Sequence, residues 1–342
     1  MNTKTNPIFD RWHGLDKCIP HVTLGSWPTP LEYIDKLDKG DTRGLWVKRE
    51  DLSSPYYGGN KVRKLEFLLA ASNKPVITFG ATGSHHVLAT AIHANRCGLS
   101  CIGVLVPQPK TPHHDAVSKL VQKHCASTIS LDTRALFRTG TWHPSLAEKI
   151  LRNKGLNVIP PGASSPRGTL GFVAAGIELA NQVRLGQCPR PTRIYLPLGT
   201  GGTAAGLSLG LGLMGLDVEI RAVRIATVTT GNLTFLNLLA RAAFHLLKKA
   251  GIPDKMPRLN ISIEHNFIGP GYGHITTPAA QAVELARDVG IQLETTYSGK
   301  TMAALVADRK QGGIKEPVMF FNTYGPIEEI GESKTDAGEI QR

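Results

Sequence analysis

Three turns in this 342-residue chain put reactive side chains where a helix is about to begin. The first is Gly58-Gly59-Asn60-Lys61-Val62-Arg63-Lys64-Leu65-Glu66. A lysine after two glycines, opening an amphipathic helix, sits in a field set by the helix dipole, Arg63 and Lys64. That field favours the neutral amine, the form that attacks a carbonyl carbon and makes a Schiff base. A solvated basic first turn accounts for the same composition. The second turn is Gly199-Thr200-Gly201-Gly202-Thr203-Ala204-Ala205-Gly206. Its free backbone N–H groups and helix dipole suit a phosphate, and a glycine turn that only packs helix on strand reads alike. It is neither a Walker loop, since no Gly-Lys-Ser/Thr follows, nor the spaced dinucleotide fingerprint. The third, Phe79-Gly80-Ala81-Thr82-Gly83-Ser84-His85-His86, sets a hydroxyl and an imidazole at another helix start. Ser84 suits an N-cap whether or not it does chemistry. A serine hydrolase is not indicated, because there is no Gly-x-Ser-x-Gly elbow and adjacent helical residues do not face one another.

These turns need strands that end at them. Short apolar runs at 75–80, 101–107, 128–131, 193–198, 219–225 and 317–322 read as strands, several closed by glycine. Helical patterns at 84–97, 115–124 and 147–153 fall between them, and a helix of small apolar residues follows Thr203. Strands alternating with helices indicate an α/β fold of mostly parallel sheets with helices on both faces. Ligands in such sheets sit beyond the carboxyl ends of the strands, where the glycine turns at 80 and 199 lie.

Composition narrows the function classes. Hydrophobic residues make up 41% and charged residues 19%, enough for a buried core. The net charge of +12 is spread along the chain without a basic helix or a basic strip rich in aromatics, which argues against nucleic acid as partner. An anionic ligand accounts for the charge as well. No apolar run is long enough to span a bilayer and no signal peptide is visible, so a cytoplasmic location is expected. The five cysteines, Cys18, Cys97, Cys101, Cys125 and Cys188, show no zinc spacing, and no metal is expected.

Taken together, the motifs resemble the tryptophan synthase β-subunit-like pyridoxal-phosphate enzymes of fold type II. More closely, the chain resembles the 1-aminocyclopropane-1-carboxylate (ACC) deaminase and D-cysteine desulfhydrase family. The resemblance is carried by Pro28-Thr29-Pro30-Leu31-Glu32, Lys48-Arg49-Glu50-Asp51-Leu52, the lysine turn, the Gly80–His86 turn and the Gly199 loop. Gly271-Tyr272-Gly273, Tyr297-Ser298-Gly299-Lys300 and Asn322-Thr323-Tyr324-Gly325 follow in the family's order. It implies two three-layer α/β domains: a large cofactor-binding domain of residues 1–63 plus 172–342, and a small inserted α/β domain of residues 64–171. It implies pyridoxal 5′-phosphate on Lys61 as Schiff-base lysine, with Lys64 helping to hold the phosphate in a cup of Gly199, Thr200, Gly201, Gly202 and Thr203. Ser84, Tyr272 and Tyr297 would act on the substrate, and His85 would face the cofactor's phenolic oxygen. A small amino acid is the implied substrate, and a homodimer is the expected assembly.

Two departures bear on the activity. His85 stands where the family has asparagine, which brings a titratable group. Ser298 stands where the deaminases resemble one another in having glutamate, so the ring nitrogen would meet a neutral hydroxyl, with Thr323 a second one. A weaker electron sink suits β-elimination better than opening a cyclopropane that has no α-hydrogen. The expected activity is therefore a D-cysteine desulfhydrase-like β-elimination giving pyruvate, ammonia and sulfide. The alternatives are ACC deaminase activity giving 2-oxobutyrate and ammonia, and a non-catalytic pyridoxal-phosphate-binding protein.

Overall fold

The computed structural model describes residues 6–34, 44–131, 154–226, 231–312 and 317–327. Among them the strands are β1 (Leu31–Tyr33), β2 (Leu45–Lys48), β3 (Val76–Ala81), β4 (Cys101–Val106), β5 (Ser127–Ser130), β6 (Asn157–Ile159), β7 (Arg193–Leu198), β8 (Glu219–Arg224), β9 (Ile261–Glu264) and β10 (Val318–Phe321). The helices are α1 (Pro7–Arg11), α2 (Lys61–Leu69), α3 (His85–Arg96), α4 (Pro112–His124), α5 (Pro166–Arg184), α6 (Gly202–Leu213), α7 (Leu233–Lys249), α8 (Thr277–Arg287) and α9 (Ser298–Lys310). The helix expected at 147–153 lies outside the described residues. None of the described helices is long and apolar enough to cross a membrane.

The strands form two sheets, as the alternating pattern requires. A four-stranded sheet in the order β5-β4-β3-β6 is parallel throughout. A six-stranded sheet runs β1-β2-β10-β7-β8-β9, parallel except where β1 meets β2. Because β10 lies between β2 and β7, its end places Thr323 beside the loop that precedes Lys61. The Asn60 N–H reaches the Thr323 carbonyl at 3.3 Å. Side-chain caps set the helix starts, with Ser84, Thr111, Ser165 and Asn232 each accepting from a backbone N–H within its first turn.

α5 and α6 touch through glycine. A Cβ at Gly206 would lie 2.5 Å from the Thr169 carbonyl oxygen, and one at Gly210 2.3 Å from that of Val173. This apolar, small-residue helix is buried on nearly every side, and β7 feeds directly into its first turn.

Beneath the start of α2 lies a cluster of buried charges. The Arg63 guanidinium donates to Glu50 at 2.7 and 2.9 Å and to Glu178 at 2.9 and 3.0 Å. Lys48 donates to Glu178 at 2.5 Å, to Gln182 at 2.6 Å and to the Thr29 carbonyl at 2.8 Å. Arg63 also lies 3.8 Å from the Trp27 ring centroid. Burial pushes the Glu178 carboxyl up, but Arg63 and Lys48 outweigh it and hold its pKa at about 2. A folded-state pKa below the unfolded value stabilises the fold above the ordinary 4.5, and that stability is lost as pH falls towards 2. We therefore predict that Glu178→Ala, which leaves the buried Lys48 without its carboxylate partner and Arg63 with Glu50 alone, lowers unfolding free energy by roughly 3–5 kcal/mol in urea titrations at neutral pH. The variant's loss should shrink below pH 4.5; a loss independent of pH would contradict this assignment.

Candidate functional site

The glycines before Lys61 let its turn press against two other segments. A Cβ at Gly58 would fall 1.8 Å from the Asp51 carbonyl oxygen. Gly59 has φ +93°, and a Cβ there would stand 3.0 Å from both Gly325 N and Thr323 O. Lys61 is the first residue of α2, and its amine donates to Asn60 Oδ1 at 2.6 Å. Asn60 in turn donates to Thr203 Oγ1 at 3.0 Å, which links the lysine turn to the glycine loop.

Lys61 opens onto a cavity of about 460 Å³ between the two sheets, a size typical of small-molecule sites. Lys64, Ser84, His85, Gly199, Thr200, Gly201, Thr203, Tyr272, Tyr297 and Thr323 also line it. Enclosure lowers the Lys61 amine to about 8, with the Glu294 carboxylate acting in the opposite direction. The sequence alone points to the helix dipole, Arg63 and Lys64 as the cause. Arg63 instead points away, into the buried cluster, and burial is the main cause. Lys64 is held well below its usual value by burial and by the charge on Lys61. Among the described residues its amine meets only neutral oxygens, Gly162 O at 3.1 Å and Ser164 Oγ at 3.4 Å.

The glycine loop curls around Ser164. That hydroxyl lies 2.7 Å from Thr200 Oγ1 and accepts from the Gly202 N–H at 3.2 Å. Gly202 itself does not line the cavity, because its N–H faces Ser164 at the first turn of α6. Beside Gly199, the Tyr297 hydroxyl donates to that of Tyr272 at 3.1 Å, with the rings edge to face. Burial raises both phenols, Tyr297 well above its usual value, so both are protonated at neutral pH. The buried Lys300 amine donates to Ile268 O at 2.7 Å and Gly271 O at 3.3 Å, fixing the loop that presents Tyr272.

Two of the expected cofactor contacts meet protein partners in the structure. Ser298 is fully buried at the first turn of α9 and does not reach the cavity. Its hydroxyl accepts from the Glu294 N–H at 2.9 Å and donates to Glu294 Oε1 at 3.1 Å. The cavity wall there is Glu294, a carboxylate that also accepts from the N–H groups of Thr296, Tyr297 and Ser298 at 2.6–2.8 Å. An acid four residues ahead of a helix start was the available signal. His85 lines the cavity, but both its ring nitrogens face protein partners. Nδ1 contacts the Tyr57 hydroxyl and Nε2 lies 2.8 Å from His113 Nε2. Burial, His113 and Lys61 hold His85 well below the usual imidazole range, so it is neutral. Tyr57, Asn60 and Glu294 also line the cavity, with Ser164 and His113 behind the lining, and motif reading does not single these five out.

Comparison with known proteins gives a consistent picture. A family model described as pyridoxal-phosphate dependent enzyme matches residues 22–323. A Pyrococcus horikoshii protein provisionally named 1-aminocyclopropane-1-carboxylate deaminase is 33% identical over 90% of this chain and 92% of its own length. A D-cysteine desulfhydrase of Salmonella schwarzengrund is 30% identical over 90% of this chain and 94% of its own. Among solved structures, an ACC deaminase homologue superposes with a TM-score of 0.75 at 29% identity, covering 95% of each chain. A tomato (Solanum lycopersicum) threonine deaminase, at 18% identity, shares the fold with a TM-score of 0.60 over 87% of this chain and 79% of its own.

The lowered amine has a direct consequence. In competitive labelling with acetic anhydride, read by mass spectrometry, Lys61 should reach half its limiting reactivity near pH 8. A midpoint shared with the surface lysines near 10.4 would contradict the enclosure argument.

Proposed function

The chain belongs to the pyridoxal-phosphate dependent enzyme family, among the ACC deaminases and D-cysteine desulfhydrases, and we propose that it catalyses β-elimination from a small amino acid, D-cysteine being the model substrate. The cofactor fits the residues present. A buried lysine facing only neutral oxygens, beside the N-terminus of α6 and a glycine loop, is an anion site of the kind a phosphate fills. On this reading Gly199, Thr200, Gly201, Gly202 and Thr203 hold the phosphate with Lys64, and Ser164 yields its place in the loop. Pyridoxal phosphate supplies, when bound, an electron-withdrawing ring conjugated to the substrate nitrogen, which weakens bonds at the α-carbon.

The remaining roles fall to this chain's own groups. Lys61 Nζ is enclosed, with a pKa near 8, and takes the α-proton in its neutral form. N–H groups at the start of α3, around Ser84, hold the substrate carboxylate. Tyr297, protonated and bonded to Tyr272, lines the substrate side with Ser84. In the same reading residues 64–171 form a small domain that closes on residues 1–63 and 172–342 and excludes water.

The observation that carries elimination over ring opening is the state of the acidic wall. Glu294 is saturated by three N–H groups and a hydroxyl, and Ser298 is turned towards it. Thr323 is then the hydroxyl left to meet the ring nitrogen, which favours a moderate electron sink. The paired tyrosines favour the second reading, ACC deaminase activity, since both offer protonated hydroxyls in one wall. A panel of ACC, both cysteine enantiomers, D-serine and β-chloroalanine with keto-acid detection separates the two. Pyruvate from D-cysteine, with at least tenfold less 2-oxobutyrate from ACC, is expected. The reverse preference would select the deaminase, and bound cofactor without turnover would select a binding protein.

A further inference from the structure

We propose that His113 and His85 form a proton relay from solvent to Tyr57 at the cavity wall, where Tyr57 protonates the substrate's departing group. This rests on the elimination reading above. The relay is a ladder of three side chains from three separate segments. Tyr57, from the loop before α2, lines the cavity and bonds through its hydroxyl to His85 Nδ1. His85 opens α3 and meets His113 through Nε2 at 2.8 Å. His113 lies in the first turn of α4, is only partly buried and does not line the cavity. One end of the ladder is therefore inside the site and the other is outside it.

The rings are held in register. Tyr57 and His85 are within 4° of parallel, and His85 and His113 stack at 5.0 Å and 22°. The Tyr324 ring packs edge-on against His85 at 5.2 Å and lies 5.9 Å from His113, which braces both imidazoles. The titratable groups facing His85 are Tyr57 from the lysine loop, Lys61 from α2, His113 from α4 and Tyr324 from beyond β10. Among the described residues none of these is a carboxylate that would hold an imidazolium, and His85 passes a proton without keeping it.

The transfer balances. A solvent proton binds His113 Nδ1, and the proton on His113 Nε2 crosses to His85 Nε2. The proton on His85 Nδ1 crosses to Tyr57 Oη, and the hydroxyl proton of Tyr57 passes to the departing atom. One proton enters and one leaves, with both imidazoles in their other tautomers. The same hops run backwards, resetting the ladder, when Tyr57 takes a proton from water in the cleft after product release and His113 returns one to solvent.

The test uses leaving groups that differ in their need for a proton. Chloride leaves β-chloroalanine as a stable anion, whereas hydroxyl must leave D-serine as water. In the cofactor-loaded enzyme, His113→Phe keeps the stack but breaks the relay, and Tyr57→Phe removes its inner end. For each, the ratio of kcat/KM for β-chloroalanine to that for D-serine should rise about a hundredfold, the usual size of a general-acid contribution. The D-serine rate should also lose its solvent isotope effect. A ratio unchanged from wild type, whether both rates fall together or neither falls, overturns the relay. The ladder has a readout independent of turnover: in histidine-labelled protein, His113→Phe and Tyr57→Phe should each move the ring ¹⁵N shifts of His85. If the wild type turns over none of these substrates, the functional reading fails, and unmoved His85 shifts would refute the ladder separately.

Discussion

The position of Lys61 depends on the buried ion cluster behind it. Arg63, held between Glu50 and Glu178 and resting on Trp27, fixes the rotation of α2. Successive helical residues turn by about 100°, so a helix that sends residue 63 into this cluster sends residues 61 and 64 to the other side. Those two lysines are the ones that face the cavity. Lys48 and Glu178 carry the constraint into β2 and α5. A cluster this deep adds little net stability over an apolar core, because desolvation offsets attraction. Its effect is to leave one orientation of α2 free of an unpaired buried charge.

That orientation concentrates positive potential in the cavity. Lys61 and Lys64 are i,i+3 neighbours, each enclosed, and Thr203 and Ala204 in the first turn of α6 line the same space. Two amines that would each rather be neutral, beside a helix dipole, make a receptor for a phosphate-bearing electrophile. The phosphate supplies the missing counter-charge, and the carbonyl carbon meets Lys61, whose enclosed amine is lowered to about 8. Binding and reactivity therefore come from the same desolvation. Glu294 sits across the cavity, but its charge is taken up in capping α9.

Much of this was legible in the chain. The strand at 193–198 is where the apolar run placed it, and the parallel α/β architecture follows from glycine-closed strands alternating with helices. Lys61 could be read because its turn is local: two glycines, a helix start and two further cations within four residues. What was illegible depends on residues far apart in sequence. Lys48 and Glu178 are 130 positions apart, and no spacing rule joins them. α5 is apolar on most of its surface and gave no 3.6-residue stripe to read. Motif position could assign His85 and Ser298 to cofactor contacts, but not foresee that Tyr57, His113 and Glu294 would engage them first.

The central claim is that Lys61, and not the neighbouring Lys64 or Lys48, is the lysine that carries the cofactor. Borohydride reduction of the cofactor-loaded protein, followed by proteolysis and mass mapping, tests it directly. The account predicts the reduced pyridoxyl-phosphate mass on the peptide containing Lys61, at that residue, and no fixed cofactor in Lys61→Ala. The same mass on Lys64, or retained in Lys61→Ala, would contradict it.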